Sequence, residues 1–440
     1  MADPRAVRAW CLYDWANSAF ACTVMAALFP PFFRAIAEAD GLAPAAVTAR
    51  WGLVTGLALL VVALGGPVLG ALGDALGARK RLLAAFMASG VLATAGFALL
   101  PPTNWRLAGG AFALANLGFA GSLVFYESLL LHVAPRGQLD TISARGYAWG
   151  YLGGGLLLIV NMLWVTMPGA FGFAGAGAAV KASFLSVAGW WAIFSVPLFR
   201  YVAEPAPVRR GPASRVWRDG FGQLGRTWRD LRGYRPLLLL LLAYWLYNDG
   251  IGTIIKMATA YGGEIGIGTA SMIQALVVTQ LIGVPSTLLC GRLAARAGAR
   301  PVLAGGLAVY AVVCVLGFFM SAAWHFFLLA ALVGTVQGAC QALSRSLFGT
   351  MVPRHKSAEF FGFYSTSGKL AGIFGPLAFA AVSHLTGQSR LSILLLIGLF
   401  ASGAWLLLRV DLEAGRRQAR IVEERDGQVE RPAADHPGVE

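Results

Sequence analysis

The sequence predicts an all-α integral membrane protein with twelve transmembrane helices in two related bundles of six. Apolar residues make up 57% of the chain and charged residues 13%, against about 45–50% and about 25% in soluble domains. Twelve apolar runs are long enough to cross a bilayer, which takes about 20 residues each. The glycine-bracketed basic loop 70–80 recurs about half a chain later at 291–300. Such a duplication in a helical membrane protein is typical of transporters.

Four segments follow from this pattern. We expect an N-terminal bundle over 1–202, a linker over 203–235, a C-terminal bundle over 236–411 and a tail over 412–440. Apolar residues in the linker recur at spacings of three and four between arginines, which predicts an amphipathic helix on anionic lipids. A disordered basic linker is the alternative. The charged, proline-containing tail is predicted to be disordered.

The distribution of lysine and arginine predicts the orientation. Most of the 35 basic residues fall in the segments on the same side as both termini, so both termini are expected in the cytoplasm. The net charge of +14 is spread over short segments between apolar runs. That placement fits an anionic membrane surface and argues against nucleic acid as a partner.

Motifs for catalysis or metal binding are missing from the sequence. The five cysteines lie singly, without a CxxC pair, and the five histidines form neither HExxH nor a triad-like arrangement. Glycine clusters lie inside apolar runs, where they favour helix packing. We therefore expect no enzyme activity, no cofactor and no metal.

Six ionisable residues lie inside the apolar runs, where each costs about 2.5–3.5 kcal/mol at mid-bilayer. They must face a wet cavity, pair with each other, or lie near a membrane surface. The six are Asp14, Glu127, Asp249, Lys256, Arg345 and Lys369.

Glu127 and Arg345 occupy equivalent positions in the two halves. Each lies eight residues before a proline, at the end of the fourth helix of its half. The hypothesis is an ion pair across the seam between the halves that forms when the inner side closes. Local bonding of each residue within its own half is an equal alternative.

The first helices of the two halves carry similar clusters of aromatic, carboxylate and amide groups. Such convergent groups are typical of small-ligand pockets, although Asn and Ser also form interhelical hydrogen bonds in membranes. The residues predicted to line a substrate cavity are Tyr13, Asp14, Asn17, Tyr247, Asn248 and Asp249. Lys369, near the middle of the eleventh run over 358–384, is added as a partner for an anionic group or for Asp249. Lys256 is close enough to the outer end to snorkel.

The loop after the second run predicts a conformational latch. Asp74 ends one helix, and Arg79 and Lys80 begin the next. A carboxylate placed there can accept hydrogen bonds from free N–H groups at a neighbouring helix start. Ala295 stands at the equivalent position of the second copy, so only the first half can make this contact.

The pattern Gly70-x-x-x-Asp74-x-x-Gly77-x-Arg79-Lys80 resembles the loop-two motif of the major facilitator superfamily, with Ala75 where a basic residue is usual. Further motifs resemble the vacuole-effluxer branch of that superfamily, which is related to autophagy-linked amino-acid exporters of fungal vacuoles. Glu127 stands where that branch more often has Asn, and Arg145 is assigned with it to the gate. The motifs are 13–18, 125–130, 143–154, 247–251 and 367–376.

The resemblance implies the major facilitator fold and alternating access. We expect a secondary active transporter of a small molecule, with amino-acid efflux as the implied activity and a bacterial inner membrane as the location. Proton coupling through a carboxylate is expected, because burial favours the neutral acid. We expect a monomer. The alternative is a non-transporting sensor or scaffold on a transporter-like body, which flux measurements in proteoliposomes would distinguish.

Overall fold

The computed structural model describes residues 3–206, 234–386 and 389–429. The predicted amphipathic linker helix lies almost wholly within 207–233, outside the described residues. The described N-terminal helices are α1 Pro4–Ala39, α2 Pro44–Leu76, α3 Arg79–Gly96, α4 Trp105–Val133, α5 Leu139–Thr166 and α6 Ala176–Tyr201. The C-terminal ones are α7 Arg235–Glu264, α8 Thr269–Ala297, α9 Ala299–Phe318, α10 Ala323–Thr350, α11 Ser357–Thr386 and α12 Ser389–Arg409.

Twelve membrane-crossing helices agree with the prediction. Within the described parts of the chain, eleven of them pass a test of length and apolar composition. The remaining one, α11, has 30 residues, enough to span at 1.5 Å per residue. It packs between α2 of the first half and α7 of its own half.

Helix α1 contains a wider stretch near its middle. Residues 20–28 form π-helical turns between α-helical segments. Two prolines follow directly at 30 and 31, and proline cannot donate the backbone hydrogen bond of a regular helix. Long π-helical segments are rare and concentrate at functional sites, and this one faces a cavity described below.

The two halves meet along two lines of contact. One joins α2 to α11, and the other joins α5 to α8 and α10. Glycines allow the first line to form: a Cβ atom at Gly362 would lie 2.5 Å from the Gly66 carbonyl oxygen, and one at Gly70 would overlap the Ala358 carbonyl. Small residues let membrane helices approach to backbone contact.

The expectation of a disordered tail is wrong for its first part. Residues Leu412–Val429 form a helix, α13, and Asp411 begins it by accepting a hydrogen bond from the Ala414 N–H at 2.9 Å, as N-cap residues do. Ala419 is fully buried. The prediction of disorder rested on the charged composition of the tail. A helix can nevertheless dock with only one apolar face, because its other faces can stay charged and exposed. Residues 430–440 lie outside the described part.

Candidate functional site

Both lines of contact include hydrogen bonds at one membrane face, between Asp74 and the start of α11 and between Ser143 of α5 and Arg345 of α10. We call the face where α1 begins and α12 ends the terminus side, and the opposite face the far side. Polar side chains at the terminus side bond from one half to the other. A cavity lies among the helix ends of the far side.

Asp74 holds α11 to the first half at the terminus side. Its two carboxylate oxygens accept hydrogen bonds from the N–H groups of Ala358, at 3.1 Å, and Glu359, at 2.8 Å. These are free donors at the start of α11, and the helix dipole favours an anion there. The sequence predicted this geometry; the role of the contact as a latch stays a prediction.

The two basic residues of the same loop behave differently. Arg79 is fully buried, pairs with Asp74, and donates to the His355 carbonyl of the second half at 2.9 Å. Lys80 donates to the Phe199 carbonyl at 2.9 Å and so stays within the first half. Arg145, also assigned to the gate, is exposed on α5. Of the three cations, Arg79 is the one seen to bridge the halves.

Arg345 is a buried cation at the seam. Its side chain is 1% exposed, and its Nη2 lies 3.6 Å from Asp14 Oδ2. It donates to the Oγ and the carbonyl oxygen of Ser143, each at 3.0 Å. Asp14 is on α1, Ser143 on α5 and Arg345 on α10. One guanidinium therefore ties two helices of the first half to the second half.

Aromatic rings complete the surroundings of Arg345. Its guanidinium carbon lies 4.8 Å from the ring centre of Trp10, 5.7 Å from that of Tyr126 and 4.4 Å from that of Tyr147. The Tyr126 hydroxyl donates to Asp14 Oδ2 at 2.7 Å. Ring faces attract a cation, so they replace part of the hydration that the guanidinium lost.

The ion pair across the seam joins Arg345 to Asp14, whereas the hypothesis from the sequence was a pair with Glu127, with local bonding of each residue as an equal alternative. Adjacent residues on a helix point about 100° apart, and Tyr126 is the residue of α4 that faces the guanidinium. Glu127 acts through its charge on both Arg345 and Lys369. We call Asp14, Glu127, Arg345 and Lys369 the charged cluster.

Lys369 and Asp249 have separate neighbours. Lys369 donates to the Ser365 hydroxyl one turn earlier on α11 and interacts with the charge of Glu127. Asp249 is 3% exposed and interacts with the charge of Lys256. The exposed Lys256 donates to the Gly372 carbonyl at 2.9 Å. Lys369 thus interacts with Glu127, and none of the described contacts joins it to Asp249, the pairing that the sequence predicted.

Two of the remaining candidates, Tyr247 and Asn248, bond between helices. The Tyr247 hydroxyl shares a 2.6 Å hydrogen bond with Ser344. Asn248 donates to the Gly368 carbonyl and accepts from Gln341, at 3.2 and 2.9 Å. Tyr13 and Asn17, on α1, are both buried. In this conformation Tyr247 and Asn248 form interhelical hydrogen bonds, which was the alternative to a role in a ligand pocket. Their place in a substrate cavity stays a prediction.

A cavity of about 340 Å³ opens among the far-side halves of α1, α7, α8, α9, α10 and α12. The π-helical stretch of α1 contributes Cys22 to its wall, and the Gln280 amide of α8 donates to the Cys22 sulfur at 3.0 Å. Gln337 of α10 lines it as well. The sequence reasoning missed both glutamines because it searched the apolar runs for ionisable groups. Uncharged amides in those runs were the signal that could have found them.

The seven residues predicted to line a substrate cavity are absent from this lining, as far as the described residues show. Two of the seven belong to the charged cluster: Asp14 pairs with Arg345, and Lys369 interacts with Glu127. The structure thus separates two features that the sequence reasoning had merged. One is a buried charged seam, and the other is an uncharged cavity on the far side.

Comparison with known proteins gives consistent results. Residues 2–135 and 132–420 match the family model described as "Vacuole effluxer Atg22 like". An MFS-type transporter of Bacillus subtilis, YxiO, described as uncharacterized, is 38% identical over 92% of this chain and 94% of its own length. Autophagy-related protein 22 of Yarrowia lipolytica is 26% identical over 64% of this chain. The chain spans about half the length of that fungal relative, 52%.

Solved structures give the fold. The human organic anion transporter MFSD10 superposes with a TM-score of 0.68 at 16% sequence identity. The match covers 92% of this chain and 100% of that structure's chain. Such a low identity carries information about the fold alone.

Proposed function

The chain belongs to the Atg22-like vacuole effluxer family and has the major facilitator fold, and on that premise we propose that it moves a small organic solute across the membrane by alternating access. It is an integral membrane transporter by relationship, not an enzyme. Amino-acid export and proton coupling are the finer parts of the proposal.

One observation carries the mechanism. Contacts between the halves close the terminus side, through Asp74 with the start of α11 and through Arg345 with Asp14 and Ser143. The cavity lies on the far side of these contacts. A seam closed at one face beside a cavity at the other is what one end state of alternating access requires. Opening the terminus side would break the same contacts.

The charged cluster supports an amino-acid cargo. A zwitterion brings one anion and one cation, and each needs a partner of opposite charge in a low-dielectric site. Arg345 and Lys369 supply the cations, and Asp14 and Glu127 supply the anions. We propose that these groups release each other when the terminus side opens and then bind the two ends of the cargo.

Proton coupling rests on the same carboxylates. Burial away from water favours the neutral form of a carboxyl group, and a nearby cation favours the charged form. Asp14 would hold its charge while Arg345 is its partner and take up a proton when Arg345 turns to the cargo. The exchange would link proton movement to cargo movement.

The excess of basic residues on the terminus side supports a cytoplasmic location for that side. We propose that the protein works as a monomer in the inner (plasma) membrane of a bacterium. The B. subtilis origin of its relative agrees with a bacterial plasma membrane.

Flux into proteoliposomes tests the proposal. Radiolabelled leucine, lysine and glutamate are offered under an imposed pH gradient, with Asp14→Asn as the test variant and Asp411→Asn as a control outside the seam. We expect proton-dependent counterflow of at least one amino acid in the wild type and the control, and its loss in Asp14→Asn. Absence of flux of every amino acid, with intact binding, would favour the sensor.

A further inference from the structure

The far-side cavity has a different chemical character from the charged seam. Among the described residues, its lining contains no Asp, Glu, Lys or Arg side chain. Its polar side chains are two glutamines, one threonine, one tyrosine and two cysteines, Cys22 and Cys314. At about 340 Å³ it lies at the small end of the range of ligand pockets, about 300–1,000 Å³.

Most of the polar atoms in the wall are already paired. The Thr279 hydroxyl bonds the carbonyls of Ala275 and Ala330, at 3.0 and 3.1 Å, and the Tyr261 hydroxyl donates to the Gly317 carbonyl at 3.3 Å. Among the described residues, Gln280 has one hydrogen bond, which its amide donates to the Cys22 sulfur, a weak acceptor. Its amide carbonyl and its second N–H are therefore available to a ligand. The wall can satisfy one or two polar groups of a ligand, but not the many hydroxyls of a sugar.

We infer that this cavity is a binding site for an uncharged, mainly apolar solute that Gln280 and Gln337 recognise through a single amide, carbonyl or hydroxyl group. An ion that left water for this wall would lose its hydration without gaining a partner of opposite charge, which costs several kcal/mol. An apolar group loses nothing by the same transfer. The amides then fix the orientation of the solute.

Arg390 is a cation that contacts this wall. Its Nη2 donates to the carbonyl of Met320, a lining residue, at 3.3 Å, and it interacts with Tyr261. Its partners are thus the uncharged carbonyl of Met320 and the side chain of Tyr261, and Arg390 itself is not part of the lining. An anionic solute would have to draw it away from them.

Four leucine derivatives with the same side chain test the charge of the solute. They are leucine, the zwitterion; leucinamide, the cation; N-acetylleucine, the anion; and N-acetylleucinamide, which is neutral. Binding at the cavity of the full-length protein in lipid nanodiscs is measured as protection of the lining residue Cys22 from N-ethylmaleimide, because an amino acid bound at the charged seam would not cover that residue. We expect the neutral member to protect Cys22 at a concentration at least about tenfold lower than each charged one, because an unpaired charge costs more than that factor.

Alkylation by N-ethylmaleimide locates the site. Saturating N-acetylleucinamide should slow the modification of Cys22, detected by peptide mass spectrometry, about tenfold. Cys290 is a matched internal control, because it is partly exposed on α8 and is not in the lining.

Gln280→Leu and Gln337→Leu should each weaken neutral binding about three- to tenfold. Gln274→Leu, an exposed residue of the same helix outside the lining, should leave it unchanged.

Four results would overturn the inference. A charged derivative could protect Cys22 at as low a concentration as the neutral one, the neutral one could fail to protect Cys22, or the two Leu variants could leave its affinity unchanged. The fourth is a Cys22 that resists alkylation without any solute, because a cavity closed to the reagent or filled by lipid would not admit the solute either. These measurements require no transport, so their outcome is independent of the flux experiment.

Discussion

The terminus side and the far side of this protein are held by opposite kinds of chemistry. At the terminus side the halves meet through buried charges with defined partners, such as Arg345 with Asp14 and Arg79 with Asp74. At the far side the wall is almost wholly apolar. Charge pairs fix one geometry and fail when it changes, whereas apolar surfaces tolerate movement. The difference indicates that the terminus-side contacts define a discrete closed state.

Removing Arg345 should have the largest effect on this contrast. Arg345→Met leaves the buried Asp14 without its partner, and breaking a buried pair costs about 3–5 kcal/mol. We expect a large fall in the thermal unfolding temperature of the purified protein and loss of flux. The matched control is Arg292→Met, an exposed position near the end of α8.

Adding Asp14→Asn to Arg345→Met separates the two roles of the pair. The double variant contains no unpaired charge at this position, so most of the lost stability should return while flux stays absent. A double variant as unstable as Arg345→Met alone would contradict the assignment of Asp14 as the partner.

Preventing the backbone contact between α2 and α11 should have the second-largest effect on the closed state. Gly362→Val would press a side chain against the Gly66 carbonyl, and overpacking of this kind costs about 1–3 kcal/mol. We expect the terminus side to open, seen as a longer distance between spin labels at Gln138 and Arg296, which are exposed positions of opposite halves. Gly56→Val is the control on α2, since a Cβ atom there meets open space. Equal distances in the two variants would refute a closed state that depends on this contact.

The smallest expected effect concerns α13. The Glu423 carboxylate bonds Arg136 of the first half at 2.8 and 2.9 Å, and accepts from the Arg354 N–H of the second half at 2.8 Å. The pair is about 30% exposed, and such bridges contribute about 0.2–1 kcal/mol. Glu423→Gln should therefore raise the ratio of open to closed molecules, read from the same spin-label distances, at most a few-fold.

Glu424→Gln provides the control for that variant, because Glu424 is the exposed neighbour on the same helix. We expect its distance distribution to match the wild type. A shift of equal size in both variants would mean that net charge, and not the bridge between the halves, is responsible.

The hydropathy pattern predicted the twelve helices, and the repeated loop predicted the two halves. Both are local properties: an apolar run of sufficient length must be a helix in lipid, because every backbone group needs an internal partner there. The contact of Asp74 with a helix start was predictable for a similar reason, since its position at a helix end limits what it can reach. Motif resemblance then supplied the family.

Only the tertiary structure decided which charges meet. Glu127 and Tyr126 are neighbours in the chain, and the rotation of α4 turns Tyr126 towards Arg345, so Asp14 of another helix becomes the ion-pair partner. Gln280 and Cys22 come from opposite halves and meet through the docking of the two bundles. The pairing of charges and the shape of the cavity depend on how packed helices are rotated and how closely they approach. The hydropathy of a segment determines neither the rotation nor the distance. The sequence therefore determined what spans the membrane, and packing determined what faces what.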